Sequence, residues 1–194
     1  MSLPAPPLKV LLSESPVKAN LTPWNLEPGR WDIMQGVDIS QEDSGDNFIQ
    51  AKQVELGQVE LDRDHPVNIT LAPRVTTVIF LELKSQGTPY WNRPDLGISK
   101  DDVAIQGNKV VVTVHSLGAV DAPVTRLALM GADGKVIASE TVPALKAPID
   151  LMPKTVKVTL TVPERANLNG SSVIIDPDST TMEITRRNNQ VKLR

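Results

Sequence analysis

The sequence predicts an all-β protein built as two antiparallel β-sandwiches in tandem, and three observations predict it. Aromatic residues make up only 3% of a chain that is 40% hydrophobic, so the cores must come from Val, Leu and Ile, which strands prefer. Sixteen prolines and eleven glycines are spread along the whole length; they punctuate many short elements and argue against long helices. Apolar residues recur with a period of two in short runs bounded by turn chemistry. At 194 residues the chain holds two sandwiches of roughly 100 residues each. The first is placed at 8–84, a linker at 85–93 and the second at 94–194.

In the first half, Leu8 to Leu12 and Val17 to Leu21 are strands separated by Ser13-Glu14-Ser15-Pro16. Val17, Ala19 and Leu21 share one face, with Lys18 and Asn20 on the other. The phrase Leu26-Glu27-Pro28-Gly29-Arg30-Trp31 suits a type II turn, with Pro second and Gly third, and then sets Trp31 and Ile33 on the core face of the next strand. Further strands run Phe48 to Leu56, Val59 to Leu61, Val67 to Leu71 and Val75 to Leu83. The last is the most apolar stretch of the chain and is expected to be central. Between them lies an acidic loop in which Asp38, Glu42, Asp43 and Asp46 surround Gly45. Such oxygen donors suit Ca²⁺, but the spacing fails the EF-hand template, so a solvated loop and a calcium site both stay open.

At the joint, Lys84 to Pro94 shows no alternation and is bracketed by prolines, which hold two domains at a limited set of angles. Tyr90 and Trp91 are adjacent aromatics in this polar stretch. They read either as hydrophobic glue between domains or, with Trp24, as a platform on which sugar rings stack.

In the second half, Val103 and Ile105 begin the strands and Lys109 to Leu117 places Val110, Val112 and Val114 on one face. Val124 to Met130 and Lys135 to Val142 flank Asp133-Gly134, the strongest short hairpin signal present. Val156, Val158, Leu160 and Val162 alternate strictly. Val173 to Ile175, the turn Asp176-Pro177-Asp178-Ser179 and a restart at Met182 and Ile184 form a closing hairpin. Seven or so strands in about 100 residues is the count of an immunoglobulin-like sandwich.

Several phrases stand in the order of a known family. Pro94-Asp95-Leu96 opens the second half, and an apolar strand, Asp176-Pro177-Asp178, Glu183 and Asn188-Asn189 close it. From Pro94 onward the chain resembles the bacterial cell-adhesion-related domain CARDB, which implies an immunoglobulin-like fold, structural roles for these phrases and no catalytic residue. Where that family usually carries Asn before a turn Gly, this chain has Ser116, a weaker hydrogen-bonding group. The first half is similar to the C-terminal β-sandwiches that follow glycoside hydrolase catalytic domains, on the strength of Leu71-Ala72-Pro73-Arg74 leading into Val75 to Leu83. Its Leu-x-Pro-Gly-x-aromatic phrase also resembles immunoglobulin-like and prealbumin-like bacterial β-domains.

A net charge of −3 argues against nucleic-acid binding, which starts from Lys and Arg neutralising phosphates. Arg186, Arg187, Lys192 and Arg194 read as a solvated strand edge. Without cysteine there is no disulfide, thiolate catalysis or Cys-ligated zinc. No apolar run approaches the roughly 20 residues of a membrane span. Two histidines, His65 and His115, are too few and too far apart to suggest a nucleophile–base pair or a zinc site. Met1-Ser2-Leu3 before Pro4-Ala5-Pro6-Pro7 reads as an added start on an interdomain linker, hence a fragment of a larger protein. The resulting expectation is a non-catalytic spacer or adhesion region of an exported or cell-surface bacterial protein. Its partners would be other domains of the parent protein, a polysaccharide or a cell-surface protein. Calcium is the one cofactor left open, and the alternative function is a carbohydrate-binding module attached to a glycan-degrading enzyme.

Overall fold

In the computed structural model the described residues are 14–22, 24–37, 54–164 and 166–193. They are all-β, and every strand pairing is antiparallel. The chain divides into two compact units, Met1–Thr88 and Pro89–Arg194.

The first unit contains β1 (Val17–Leu21), β2 (Gly29–Val37), β3 (Val54–Leu61), β4 (Val67–Leu71) and β5 (Thr77–Gln86). β1 pairs with β4, and a three-stranded sheet runs β3-β2-β5. Trp31, Ile33 and Leu61 are its buried cluster, packed on by Leu26, Val59, Val67, Ile79 and Leu81. The Trp31 indole satisfies its N–H on the Glu27 carbonyl at 3.1 Å, which lets a large apolar ring be buried without an orphaned donor.

Some expectations fall outside the described residues and others need correcting. The strand placed at Leu8 to Leu12 lies outside the described residues, as does most of Phe48 to Leu56. Leu56 and Val59 belong to one strand rather than two: Gly57, with φ of 91°, sits at a register shift opposite Ile33 and Met34, a bulge that glycine makes without steric cost. The apolar β5 flanks β2 and is not central; β2 is. Gly29 is no type II corner either. Its φ is 153° and it already pairs as the first residue of β2. Glycine is needed because a Cβ there would stand 2.3 Å from the Ser85 carbonyl oxygen. Ser85 and Gln86, read as linker, are the last residues of β5.

The second unit contains β6 (Leu96–Gly97), β7 (Val103–Gln106), β8 (Lys109–Ser116), β9 (Thr125–Met130), β10 (Val136–Val142), β11 (Lys154–Thr161), β12 (Ser172–Ile175) and β13 (Gln190–Lys192). One sheet runs β11-β8-β6, with β7 also on β8; the other runs β10-β9-β12-β13. Val110, Val112 and Val114 from β8 and Leu160 from β11 face Leu127, Leu129, Val173 and Ile175 from the second sheet, all fully buried. That is the two-layer core of a sandwich.

The closing hairpin differs from expectation. β12 does pair with the last strand, Val173 opposite Val191, but that strand is Gln190–Lys192 and not Met182 to Ile184. The intervening residues form a loop in which Met182 is exposed and Glu183 buried. The simple alternation would have done the reverse, and the polar partners described next explain why it did not.

Candidate functional site

The distinctive chemistry of the second unit is gathered at one end, where β8 stops and β12 hands over to the loop 176–189. Three stretches far apart in sequence meet there. Leu117 N–H donates to the Asp95 carbonyl at 2.7 Å, Ile184 N–H to the Pro94 carbonyl at 3.0 Å and Ile98 N–H to the Asn188 carbonyl at 2.9 Å. Gly118 is required for this meeting, since a Cβ on it would lie 2.3 Å from Asp95 N. The Asn188 amide lies 3.0 Å from where a Gly97 Cβ would stand, and it reaches the Asp95 carboxylate at 3.3 Å.

Buried within this junction are Arg93, Asp95, Asp176, Glu183 and Asn189. Glu183 accepts the Leu96 N–H at 3.0 Å on one oxygen and the Asn189 amide on the other. The Arg93 guanidinium donates to the Glu183 backbone carbonyl at 3.3 Å. Asp176 accepts the Thr180 hydroxyl at 2.7 Å, the Thr180 N–H at 3.1 Å and the Thr181 N–H at 2.9 Å. Arg186 adds a bond to the same carboxylate at 3.1 Å and a second to the Asp176 carbonyl. Arg186 is therefore a structural cation locked into the loop, which corrects its reading as a solvated edge charge.

Two carboxyls of one junction titrate in opposite directions. Burial pushes Glu183 up to about 7, against the Asn189 amide, the Leu96 N–H and Arg186, which favour its charged form, while Asp95 adds to the upward push. Burial would raise Asp176 as well, but the Thr180 hydroxyl, the two N–H groups and Arg186 outweigh it and hold the carboxyl at about 2. A charged group with several directed donors keeps its charge, and one with few loses it.

The Ser116 hydroxyl, buried in β8, makes no hydrogen bond among the described residues. His115 pairs through Nε2 with Asp102 Oδ1 at 2.7 Å, and the Ser99 hydroxyl donates to Asp102 Oδ2, also at 2.7 Å. Serine, histidine and aspartate thus meet, but not as a hydrolytic triad. That chemistry needs the imidazole between hydroxyl and carboxylate, whereas here both bind the carboxylate, which caps the short 3-10 turn Lys100–Asp102. The Asp102 carboxyl is held below its usual value: burial opposes this, and the Ser99 hydroxyl and His115 prevail.

Of the expected site residues, Tyr90 and Trp91 lie in the 3-10 turn Tyr90–Asn92. Arg93 sits over the Tyr90 ring, 5.0 Å from its centroid, and Trp91 is 59% exposed. Trp24 is in the other unit, exposed, with Arg63 stacked 5.7 Å from its centroid. Asp38, Glu42, Asp43 and Asp46 lie outside the described residues. Among the described residues no group of three or more His, Cys, Asp or Glu side chains is placed to hold a metal, and no helix is long and apolar enough to cross a membrane.

Sequence reading missed Arg93, Glu183 and Arg186 as partners. No local signal marked them: a polar residue between Met182 and Ile184 is what an alternating strand carries on its solvent face.

No family model matches the chain, and no curated protein matches it. The CARDB resemblance therefore rests on the phrases alone. Among solved structures the chain is similar to a β-glucuronidase from Ruminococcus gnavus, at 10% identity and a TM-score of 0.31. It covers 92% of this chain and 35% of that one. The apo form of the same enzyme gives 10% identity, a TM-score of 0.30 and 34% of its length. The chain thus spans about a third of the length of the structures it matches.

Proposed function

We propose that this chain is a non-catalytic accessory region of an exported or cell-surface bacterial protein, two β-sandwiches that space or dock the other domains of a larger chain. The observation that carries the reading is the fate of the charged groups at the loop-bearing end. Glu183, Asp176 and Arg93 are buried, and their side chains are taken up within the fold, Glu183 by Leu96 and Asn189, Asp176 by Thr180, Thr181 and Arg186 and Arg93 by the Glu183 carbonyl. Arg93 and Glu183 clamp the segment leading into the unit to the loop before its last strand, and Asp176 fixes the turn at the start of that loop. Such a cross-tie suits a domain that transmits load between neighbours.

Replacing Glu183 with Gln tests this in the intact parent protein. Activity per folded molecule stays unchanged while stability shifts. Loss of turnover at unchanged stability would place Glu183 in a reaction and end the accessory reading.

A second reading, a carbohydrate-binding module, is favoured by one observation: Trp91 is largely exposed beside Tyr90, whose ring Arg93 holds in place. Aromatic faces fixed this way can stack on sugar rings. Retention on a polysaccharide that Trp91→Ala abolishes supports this reading; no retention on any glycan tested leaves the spacer. Calcium in the acidic loop around Asp43 and Asp46 would stiffen the first unit, and a thermal shift on adding Ca²⁺ that an Asp43→Ala, Asp46→Ala double variant removes is its test.

A further inference from the structure

The loop 176–189 is held to the second unit by polar ties. The sandwich core takes Ile175 before the loop and Val191 after it, and among the described residues no core side chain comes from between them. The loop's partner is the segment 93–98. Leu96 N–H donates to the Glu183 carboxylate at 3.0 Å, Ile98 N–H to the Asn188 carbonyl at 2.9 Å and Ile184 N–H to the Pro94 carbonyl at 3.0 Å. That segment keeps its own hold on the sandwich, through Leu96 and Ile98 in the core and the pairing of β6 with β8. The loop can therefore leave without taking the core apart, and elements with few buried apolar contacts open at lower free energy than core ladders.

Glu183 sits where the ties cross, its side chain without exposed surface. Charged groups face it from the elements around it. In its own loop, Arg186 stands 3.7 Å from the carboxylate, farther than the 3.1 Å between the same guanidinium and Asp176 just after β12. From the segment 93–98, Arg93 binds the Glu183 backbone carbonyl, and the negative charge of Asp95 favours a protonated Glu183. β8 brings the uncharged Ser116 opposite Leu96, while its His115 is bonded to Asp102. Next to β13, the Asn189 amide donates to the carboxylate. Three carboxyls, of Asp95, Asp176 and Glu183, thus share the guanidiniums of Arg93 and Arg186 in a largely buried setting. A buried carboxyl without a cation of its own takes up a proton.

We propose that Glu183 is a proton-operated latch: with a proton on its carboxyl the loop stays closed on the segment 93–98, and loss of the proton lets the loop lift while the sandwich stays folded. The inference concerns the clamp alone and holds whether or not the chain is an accessory region. Burial keeps the proton on the closed form up to about 7, whereas in the lifted loop the carboxyl meets water and returns to its ordinary 4.5. The closed form is therefore the better proton binder. Protons support closure in full below about 4.5, and that support is lost as pH rises through about 7.

The test is amide hydrogen exchange on the full 194-residue chain, followed residue by residue from about pH 5 to about pH 8 with the intrinsic rate at each pH divided out. The N–H groups of Leu96, Ile98 and Ile184 exchange faster than those of the β8–β11 ladder at every pH. Their protection falls on the order of fiftyfold across the range and levels off above about 7. Glu183→Gln keeps the faster exchange of these three groups and abolishes the fall. Tie amides as slow as the ladder overturn the proposal, because the loop then leaves only when the whole unit unfolds. Protection that ignores pH overturns it too, as does a fall that the variant retains. If the variant does not fold, the side-chain carboxyl carbon resonance of Glu183 in the wild type takes its place: a midpoint of about 7 supports the latch, and one in the ordinary carboxylate range overturns it.

Discussion

The carboxylate of Glu183 accepts the backbone N–H of Leu96 at 3.0 Å, a bond between residues 87 positions apart. It ties the first strand of the second unit to the loop before its last, and the side chain making it is fully buried. Replacing Glu183 with Ala removes this acceptor and leaves the Leu96 N–H and the Asn189 amide buried without it. The expected cost is about 2–4 kcal/mol, read as a fall in the urea midpoint at pH 7. A loss below about 0.5 kcal/mol would show that the tie is ornamental.

The pH dependence of Glu183 follows from its raised value. A carboxyl near 7 when folded and near its usual 4.5 when unfolded binds an extra proton in the folded state across that window. Its contribution is complete below about 4.5 and is lost as pH rises to about 7, a change on the order of 3 kcal/mol. Glu183→Gln, which keeps an oxygen acceptor and carries no charge, should flatten this slope, gaining on the wild type at pH 8 and matching it near pH 5. Parallel wild-type and variant curves between those values would refute the assignment.

Asp176 predicts the opposite limb. Held at about 2 when folded against 3.8 unfolded, it stabilises above about pH 4 and ceases to do so as pH falls toward 2, by about 2 kcal/mol. Together the two carboxyls place the maximum of their combined contribution between about pH 4 and 5. Melting temperatures from pH 2 to 8 should therefore fall on both sides of that interval, and Asp176→Asn should remove only the acid limb.

Much of the framework was legible because alternation in sequence became alternation in burial. In β8 the valines 110, 112 and 114 are buried and their neighbours are not, and β4 has the bounds its pattern suggested. What escaped has a common physical cause: its reason lies far away in sequence. Glu183 is buried because Leu96 and Asn189 hold its oxygens. β5 is apolar yet flanks its sheet because β2 took the middle, and Gly57 falls in the gap between two expected strands until a partner strand shows it to be a bulge within one. The phrases 94–97, 116–118 and 183–189 could be picked out singly, but nothing local said that they would touch.

The glycines at that contact give a graded prediction. At Gly118 a methyl group would meet backbone atoms of Asp95 and Pro94 at 2.3 and 2.6 Å, so Gly118→Ala should cost about 2–3 kcal/mol by forcing the segments apart. Gly107 has φ of 59° and nothing within 4 Å of the added atom, so Gly107→Ala should cost only the backbone strain, about 1 kcal/mol. Equal costs at the two sites would mean that crowding at the junction is relieved easily.

The division into Met1–Thr88 and Pro89–Arg194 predicts separable unfolding. Leu129 is fully buried in the core of the second unit, and trimming it to Ala should cost about 2–5 kcal/mol there. The first unit has its own cluster around Trp31, Ile33 and Leu61, none of which Leu129 supports. Calorimetry of the variant should therefore shift one of two transitions and leave the other in place. Trp31 reports on the first unit alone, so its fluorescence, in a chain carrying Trp24→Phe and Trp91→Phe, should follow the unshifted transition. If that signal moves with the Leu129→Ala variant, the two cores share one cooperative transition and the tandem reading of the fold must be given up.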